Sequence, residues 1–329
     1  IHGTVSELIE DDNKVVKGVK YREKQTRATK EVYAKLTISS DGFFSSFRKE
    51  LSNNVKTVTS FFIGTVLKDC ILPFPNHGHV FLSAPTPFIC YPISSTEIRL
   101  LVDFSGDKAP KKETIKAHFL DKVLPFMPEE LQAALKVTME EENYKVMPNH
   151  YMAAKPVLKE GAVLLGDALN MRHPITGGGL TAVFNDVYLL SEHLLAMPDF
   201  NNPELLHEKI ELYYRDRYHA NTNVNIMANA LYGVMSDDEL KGGVFDYLRK
   251  GGNHSSVPIS LLAGLNRNPS ALIKHFFLVS LLCIMNLIKS DKKSSFKVFK
   301  VLKDAFCIIK PLAMNEIRFS SFSKQNRGH

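Results

Sequence analysis

The chain contains 329 residues, of which 44% are hydrophobic and 23% charged, and this composition excludes a disordered or fibrous protein. The net charge of +6 comes from the end of the chain, because residues 289–329 contain 10 Lys and Arg against 3 Asp and Glu, whereas residues 1–288 contain 31 against 32. This distribution gives no basic stripe along the body of the protein, so we expect no nucleic-acid partner. Four scattered cysteines predict neither a disulfide framework nor a zinc site: Cys70, Cys90, Cys283 and Cys307.

The N-terminal segment has the alternation of apolar and polar residues that is typical of β-strands. Three strands are predicted, over residues 4–9, 15–21 and 32–40, and the third runs directly into Asp41-Gly42. The chain starts inside this strand pattern and has no initiator methionine, so we expect a fragment whose targeting segment lies outside the sequence.

The middle of the chain alternates between strand and helix patterns. Four short strand patterns, separated by Pro, Gly and Asn clusters, predict an antiparallel sheet: residues 61–67, 79–83, 88–93 and 98–104. An apolar strand is predicted over residues 162–165. Five segments have helical periodicity, and the fourth is predicted to form two or three helices: residues 112–124, 129–139, 180–195, 203–232 and 238–249.

The C-terminal part is more apolar and more basic than the rest. Residues 276–288 form an apolar run of about thirteen residues, shorter than the roughly 20 needed to cross a bilayer. Residues 296–309 place apolar side chains among lysines, as in helices that lie at a membrane interface. We therefore predict a monotopic membrane anchor, the alternative being a C-terminal helix packed on its own domain.

The segment from Val163 to Leu180 is the most informative part of the sequence. A buried strand leads into Gly166-Asp167, at the edge where open α/β sheets bind ligands. The carboxylate can accept hydrogen bonds from sugar-alcohol hydroxyls. Gly177, Gly178 and Gly179 then precede a helix, whose free N–H groups can stabilise an anion. A phosphate site of the Walker type lacks its lysine here, and a simple turn explains one or two glycines but not all of them, so the segment favours a flavin site.

A second strand ends in Asp41-Gly42, with Ser45 and Arg48 shortly after it. Asp-Gly is one of the commonest turn dipeptides. By itself this segment therefore leaves a simple turn and a binding loop open.

Together these segments resemble the squalene epoxidase family of flavoprotein monooxygenases. The run Gly-Asp-Ala-Leu-Asn-Met-Arg-His-Pro-Ile-Thr-Gly-Gly-Gly, from Gly166 to Gly179, carries most of the resemblance. It continues in Asp41-Gly42-Phe43-Phe44-Ser45-Ser46-Phe47-Arg48-Lys49 and in shorter segments: residues 76–79, 147–149, 225–232, 251–252 and 275–277. It covers nearly the whole chain and fades after residue 288.

The resemblance implies a mixed α/β (α+β) fold with three parts. An incomplete, doubly wound FAD-binding domain would comprise residues 1–55 and 151–200. An antiparallel-sheet substrate domain would occupy residues 56–150, and a helical substrate-pocket region residues 201–270. Membrane-associated helices would form residues 271–329. The family's Gly-x-Gly-x-x-Gly turn, which grips the FAD pyrophosphate, would lie before the first residue.

The implied activity is the epoxidation of squalene to (S)-2,3-oxidosqualene in sterol biosynthesis, through a flavin hydroperoxide. NADPH would supply electrons through a reductase of the NADPH-cytochrome P450 reductase type. The enzyme would lie on the cytosolic face of the endoplasmic reticulum membrane. Because the cofactor performs the reaction, no acid or base residue is assigned. A related FAD-dependent polyprenyl oxidoreductase and an inactive membrane-bound fragment are left open as alternatives.

The resemblance also implies the residues of the site, with no metal among its ligands. The cofactor would contact Val5, Asp41, Gly42, Arg48, Gly166, Asp167, Pro174, Gly177, Gly178, Gly179 and Leu180. The substrate tunnel would be lined by Leu82, Ile89, Tyr91, Pro174, Ile175, Met235, Phe245, Leu248, Leu261 and His275. Tyr91 is interpreted either as a tunnel residue or as a hydrogen-bond donor near the flavin. His173 and His275 are interpreted as structural hydrogen-bond donors, the commoner role of a packed histidine.

Overall fold

Three β-sheets and a helical region form the part of the chain that the computed structural model describes, namely residues 1–81, 87–235 and 238–290 with the single positions 303 and 310. Leu82 and, apart from position 303, the predicted amphipathic helix over residues 296–309 lie outside the described residues. The mixed α/β fold with antiparallel sheets is confirmed.

The first sheet is an antiparallel meander in the order β1-β2-β3. Its strands are β1 (Gly3–Glu10), β2 (Val16–Glu23) and β3 (Thr29–Tyr33). The prediction of one strand over residues 32–40 was wrong, because β4 (Thr37–Ser39) belongs to a second sheet, where it pairs in parallel with β10 (Ala162–Leu164).

The chain changes sheets within a few residues after β3. The Ala34 N–H still donates to the Lys17 carbonyl of the meander, whereas the Thr37 N–H donates to the Gly161 carbonyl beside β10. The alternation of side chains continues through this change, which is why the sequence pattern did not reveal it.

The third sheet has five antiparallel strands in the order β6-β7-β8-β5-β9. The four predicted strands are confirmed as β5 (Thr57–Lys68), β6 (His79–Phe81), β7 (Phe88–Pro92) and β8 (Glu97–Ser105). The sequence analysis missed β9 (Tyr144–Tyr151), which contains Pro148 and several polar residues. Proline and polar residues weaken a strand pattern, and β9 lies at an edge of the sheet, where proline is tolerated.

Helices cover one face of this sheet. After the short α1 (Arg48–Leu51), α2 (Lys112–His118) and α3 (Glu129–Glu140) pack their apolar residues against β5, β7 and β8. The predicted helix over residues 112–124 is α-helical only to His118 and then continues as a wider turn and a tight turn at Pro125, whose missing N–H disrupts regular helix. The other face of the sheet remains free to contact the functional site.

The helical region contains the longest element. It comprises α4 (Gly179–Leu195), α5 (Pro203–Met235), α6 (Asp238–Arg249), α7 (Asn253–Leu262) and α8 (Pro269–Ser290). The prediction of two or three helices over residues 203–232 was wrong, since α5 is one helix of 33 residues. No Gly or Pro occurs between Glu204 and Tyr232, so the sequence contains no helix breaker there.

The apolar run predicted over residues 276–288 is part of the longer helix α8, which has 22 residues. Its segment Pro269–Asn286 has a mean hydropathy of 1.5 and is 17% buried, so by length and composition it is sufficient to cross a membrane. A single helix of this kind is only a weak indication of membrane association. The expectation that this part of the chain is too short to span a bilayer therefore does not hold for the folded helix.

Candidate functional site

Two strand ends meet at the centre of the site. The parallel strands β4 and β10 run side by side, so the turns that follow them, Asp41-Gly42 and Gly166-Asp167, emerge at the same edge. Arg48 joins these turns: its Nε donates to the Ala168 carbonyl at 3.0 Å, and its Nη2 lies 2.9 Å from the Gly42 carbonyl and 3.0 Å from the Asp167 carbonyl. Because the Arg48 side chain is buried and bonded to the backbone, it fixes the relative position of the two turns.

Asp41 stabilises its own turn. Its carboxylate accepts hydrogen bonds from the Ser39 hydroxyl at 2.7 Å and from the Ser46 N–H at 2.9 Å. Partial desolvation raises the pKa of Asp41, but hydrogen bonds that include these two outweigh it, so the net effect lowers its pKa. Asp41 is therefore ionised at neutral pH and shapes the loop that contains Gly42.

The second turn presents an exposed carboxylate. Gly166 has a φ of +65°, a conformation that L side chains rarely adopt, and its N–H donates to the buried carboxylate of Asp186 at 3.3 Å. Asp167 follows at the end of β10 and is exposed. Its side chain is therefore accessible to a ligand that offers hydroxyl groups.

The glycine loop, Gly177 to Gly179, is packed on one side and open on the other. Gly177 has a φ of +66°, and a Cβ built on Gly178 would lie 2.7 Å from Val224 Cγ1, so this glycine packs directly against α5. Around the corresponding Cβ positions of Gly177 and Gly179, no atom of the described chain outside the adjacent residues and the first turn of the helix lies within 4 Å. Since α4 begins at Gly179, its first N–H groups have no partner inside the helix and can face an electron-rich ligand.

Three asparagines on α5, which we call the asparagine ladder, support this loop from behind: Asn221, Asn225 and Asn229. The Asn221 amide donates to Asp186 at 2.7 Å. Asn225 accepts from Arg172 Nε at 2.7 Å, and Asn229 accepts from the His173 N–H at 3.4 Å. The sequence analysis missed the ladder, although its spacing of four residues, which places side chains on one helix face, was a usable signal.

A buried charged network lies beneath the Gly166 turn. Arg217 on α5 forms two hydrogen bonds to Asp186 on α4, at 2.8 and 3.1 Å, and both side chains are buried. Arg172 donates to the Asn170 side chain at 2.7 Å and lies 3.3 Å from the Gly178 carbonyl. These bonds connect the Gly166 turn, the glycine loop and two helices into one unit.

The predicted tunnel residues fall into two groups in the structure. Ile175 and Met235 are buried with Phe62 in one apolar cluster, which also contacts Leu101, Leu231 and Tyr232. Ile89 pairs across the sheet with Leu101, so Ile89 and Tyr91 share the face of the sheet that bears this cluster. Ile89 is half-buried, whereas Tyr91 is exposed.

The second group surrounds an apolar cavity of about 120 Å³ between α5, α6, α7 and α8. Leu248, Leu261 and His275 line it, together with Leu231, which also contacts the apolar cluster around Phe62. Three polar residues also line it: the Tyr247 hydroxyl lies 2.8 Å from His275 Nδ1, and the Ser280 hydroxyl donates to the Phe276 carbonyl. Desolvation at this position lowers the pKa of His275, helped by the nearby Lys274 and His254. Phe245 lies outside the cavity and is 51% exposed.

Two further predicted cofactor residues lie at the margins. Val5 belongs to β1, an edge strand of the meander in the described chain, and its side chain is partly exposed. Leu180 follows the glycine loop and is 68% exposed. It begins an apolar stripe on α4 that continues through Phe184 and Tyr188, both exposed. Neither residue is enclosed by the described part of the chain.

A sequence model of the squalene epoxidase family matches residues 33–299. The chain belongs to this family. It is 42% identical to Squalene epoxidase 3 of Arabidopsis thaliana over 87% of the chain and 56% of that relative. It is 36% identical to Squalene epoxidase ERG1 of Candida albicans, over 96% of the chain and 68% of that relative. It is 34% identical to Squalene monooxygenase of Mus musculus, over 97% of the chain and 57% of that relative. The chain spans about half the length of most of the curated relatives that it matches.

Solved structures share the fold. HpxO of Klebsiella pneumoniae, complexed with FAD and uric acid, aligns with a TM-score of 0.62 over 82% of this chain and 67% of its own, at 14% identity. The flavin-dependent brominase Bmp2 aligns with a TM-score of 0.60 over 81% of this chain and 65% of its own, at 16% identity. At this level of identity the likeness establishes the fold. The fold is thus one that flavin-dependent enzymes use, within a chain that belongs to the squalene epoxidase family.

Proposed function

We propose that the protein containing this chain is an FAD-dependent monooxygenase that converts squalene to (S)-2,3-oxidosqualene in sterol biosynthesis. The observation that carries the proposal is that one short segment, residues 166–179, contains the exposed carboxylate of Asp167, the glycine loop with its open side, and Ile175, which packs with Phe62 in an apolar cluster. This arrangement joins a polar cofactor site to an apolar substrate site. Family membership supports squalene as the substrate.

The described residues fit FAD in their chemistry and in the space they leave. The carboxylate of Asp167 suits the hydroxyls of the ribityl chain. The open positions at Gly177 and Gly179 leave room for a planar ring beside the start of α4, where free N–H groups favour negative charge. Asp41 and Gly42 would form the other side of the cofactor site, with Arg48 holding the two turns together.

When bound, reduced FAD supplies the chemistry of the reaction, the activation of O₂ for insertion into an alkene. The chain's own residues would position the substrate and exclude water. Ile175, Met235 and Phe62 offer only apolar surface to a reacting double bond. The cavity at Leu248 and Leu261 is also almost entirely apolar and suits the remaining part of a long hydrocarbon chain. No side chain in these two groups needs to transfer a proton.

The partners and location form part of the proposal. Electrons would come from NADPH through a reductase of the NADPH-cytochrome P450 reductase type, and the enzyme would act at the endoplasmic reticulum membrane. Support for membrane association comes from α8, whose exposed side carries a line of apolar residues: Ile273, Phe277, Leu281, Met285 and Ile288. A hydrocarbon substrate is itself concentrated in membranes, so an enzyme at the membrane surface meets it directly.

The first test is to purify residues 1–329 in mild detergent and to quantify the flavin released on denaturation. Bound FAD in equimolar amount would support the assignment of Asp167 and the glycine loop. The full gene product should then form 2,3-oxidosqualene from squalene with NADPH and the reductase. A full gene product that retains FAD but oxidises no squalene would contradict the proposed substrate.

A further inference from the structure

A buried polar cluster joins the five-stranded sheet to the glycine loop. It consists of one residue from each of three strands, β5, β8 and β9, and one from the segment before the loop: Ser60, Asp103, Asn149 and His173. Their exposed fractions are 0%, 1%, 3% and 1%. Polar groups at such depth are costly unless they are hydrogen-bonded, so the stability of the cluster depends on the bonds that its members form.

The hydrogen bonds of the cluster form a chain that leads from the Ile175 N–H through His173 and Ser60 to Asp103. The Ile175 N–H donates to His173 Nδ1 at 3.3 Å, so in the neutral ring the proton lies on Nε2. His173 Nε2 lies 2.9 Å from the Ser60 hydroxyl, which donates in turn to Asp103 Oδ1 at 2.6 Å. The Asn149 amide donates to the Ser60 oxygen at 2.8 Å and to Asp103 at 3.1 Å. A chain of bonds thus connects the backbone of the loop to a buried carboxylate in the sheet.

Serine, histidine and aspartate together are also the residues of hydrolytic triads, but the order here is different. In a triad the carboxylate orients the histidine, which activates the serine. In this cluster Ser60 lies between His173 and Asp103 and donates its proton to the carboxylate. Ser60 is also fully buried, so no substrate can reach its oxygen. The arrangement therefore serves to fix positions.

The His173 ring is held by aromatic contacts as well. It stacks on the ring of Tyr232 of α5, with ring centroids 3.9 Å apart. It also contacts the ring of Phe62 of β5 edge to face, with ring centroids 5.5 Å apart. Phe62 and Tyr232 belong to the same apolar cluster as Ile175. The ring thus contacts the sheet, α5 and the loop at once, and a displacement of any one of them would disturb the other two.

We propose that His173 is a positioning residue, which holds the Pro174-Ile175 segment in register with the substrate-facing side of the sheet. The inference rests on the proposed function, because Ile175 would lie between flavin and substrate. A shift of the segment would change the distance between the site of oxygen activation and the double bond. Oxygen activation would then continue, but more of the reducing equivalents would end as hydrogen peroxide instead of epoxide.

Two substitutions separate the two bonds of the ring. In His173→Asn, the side-chain oxygen can still accept from the Ile175 N–H, as in an Asx turn, but the shorter side chain loses Ser60. In His173→Gln, the longer side chain can reach Ser60 but loses the bond to Ile175. Ser60→Ala removes the middle of the chain of bonds and leaves the His173 ring in place.

The test measures epoxide formed per NADPH consumed, hydrogen peroxide, FAD content and the flavin absorption spectrum in the full gene product, below the unfolding temperature of each variant. We expect both His173 variants to retain FAD and to form on the order of tenfold less epoxide per NADPH, since small misplacements in an active site have large effects. Their flavin spectra should shift, and Ser60→Ala should change in the same direction. His193→Asn is the matched control, because His193 also pairs with a carboxylate, Asp216, but on the outer side of α4 and α5.

The outcomes distinguish the two proposals. Wild-type protein that forms no epoxide would overturn the proposed function. The role of His173 would be overturned if the wild-type protein forms epoxide and the variants His173→Asn and Ser60→Ala form as much epoxide per NADPH as the wild type, with unchanged flavin spectra. A loss of coupling in these variants but not in His193→Asn would support it.

Discussion

The three glycines of the loop have different physical tasks. Gly177 has a positive φ, and Gly178 packs so closely against Val224 that a side chain would not fit. Gly179 is the first residue of α4, and the space around its Cβ position is open. A sequence motif shows all three as equivalent positions. The structure separates the conformational, packing and ligand-facing requirements.

Substitution by alanine should therefore give different results at two positions. Gly177→Ala should lower the free energy of unfolding by about 1–2 kcal/mol, the cost of a left-handed conformation for an L residue. Gly179→Ala should leave stability unchanged but place a methyl group in the open space, and so reduce FAD binding. Denaturant unfolding and flavin titration of both variants test this. Equal loss of stability in both variants would contradict the distinction.

Asp167 is exposed, and its carboxylate interacts electrostatically with the Arg48 guanidinium. Asp167→Ala should weaken FAD binding on the order of tenfold or more, the value of a charge-assisted hydrogen bond, and lower the unfolding temperature only slightly, because an exposed charge pair contributes little to stability. Asp199→Ala, at an exposed turn whose carboxylate accepts from the Asn201 N–H, is the control. Retention of full flavin affinity in Asp167→Ala would count against its assignment.

For individual residues, the sequence predicted which residues form the two turns but not the hydrogen bonds that hold those residues in place. The turns at Asp41 and Asp167 follow from strand patterns that end in Asp and Gly, and both lie at the same sheet edge. Arg48 was predicted to bind the cofactor, yet its hydrogen bonds go to backbone carbonyls, and its contact with FAD remains a prediction. A contact between residues 120 positions apart leaves no trace in local periodicity.

Among the elements, α4 and α5 depend on one ion pair. Asp186 and Arg217 are buried, and the same carboxylate accepts from Gly166 and Asn221. Asp186→Asn should destabilise the protein by about 3–5 kcal/mol, since it leaves a buried guanidinium without its counter-charge. Asp216→Asn, one residue from Arg217 and partly exposed, should cost about 0–1 kcal/mol. Equal unfolding midpoints of the two variants would refute this account.

Helix α6 offers a direct test of the cavity. Leu248 lines the cavity, whereas Phe245 on the same helix is exposed. Leu248→Trp should fill part of the space and reduce kcat/KM for squalene on the order of tenfold, with FAD binding unchanged. Phe245→Ala should have little effect. The reverse order of effects would return Phe245 to the substrate site, as the sequence analysis predicted.

The elements themselves were largely predictable where their pattern is strong. The apolar run in β5, the alternation in β8 and the uninterrupted periodicity of α4 predicted these elements well. The continuity of α5 was not predicted, because its several asparagines weaken helix propensity, although no Gly or Pro interrupts the segment. In the fold these asparagines are hydrogen-bonded to residues that include Asp186, Arg172 and His173.

For the whole molecule, the position of α8 decides how membrane association should be tested. Its inner side lines the cavity through Leu272, His275 and Val279, so deletion of the C-terminal segment would also open this cavity. The predicted division into domains therefore remains a prediction, since residues on both sides of position 270 form one cavity. Point substitutions on the outer side avoid this problem.

The double substitution Phe277→Asp and Leu281→Asp should reduce binding to anionic lipid vesicles more than tenfold, because each apolar side chain contributes about 1.5–3 kcal/mol when removed from water. The cavity and FAD binding should be unaffected. Phe126→Asp changes another exposed phenylalanine, 54% exposed against 67% for Phe277, on the tight turn before α3 and should not alter flotation. Undiminished flotation of the double variant would show that α8 does not hold the protein on the membrane.

The length of α5 has a consequence for how proteins of this kind can vary. Its early part contacts β10 through Tyr214, its middle carries the asparagine ladder, and its end lines the cavity with Met227 and Leu231. One inserted residue would turn everything after it by about 100° and advance it by about 1.5 Å, which would direct the cavity wall towards solvent. Insertions and deletions should therefore be found in loops and almost never between positions 214 and 231. Of the insertions within the helix, seven residues should be the least harmful, because two turns restore the direction to within about 20°.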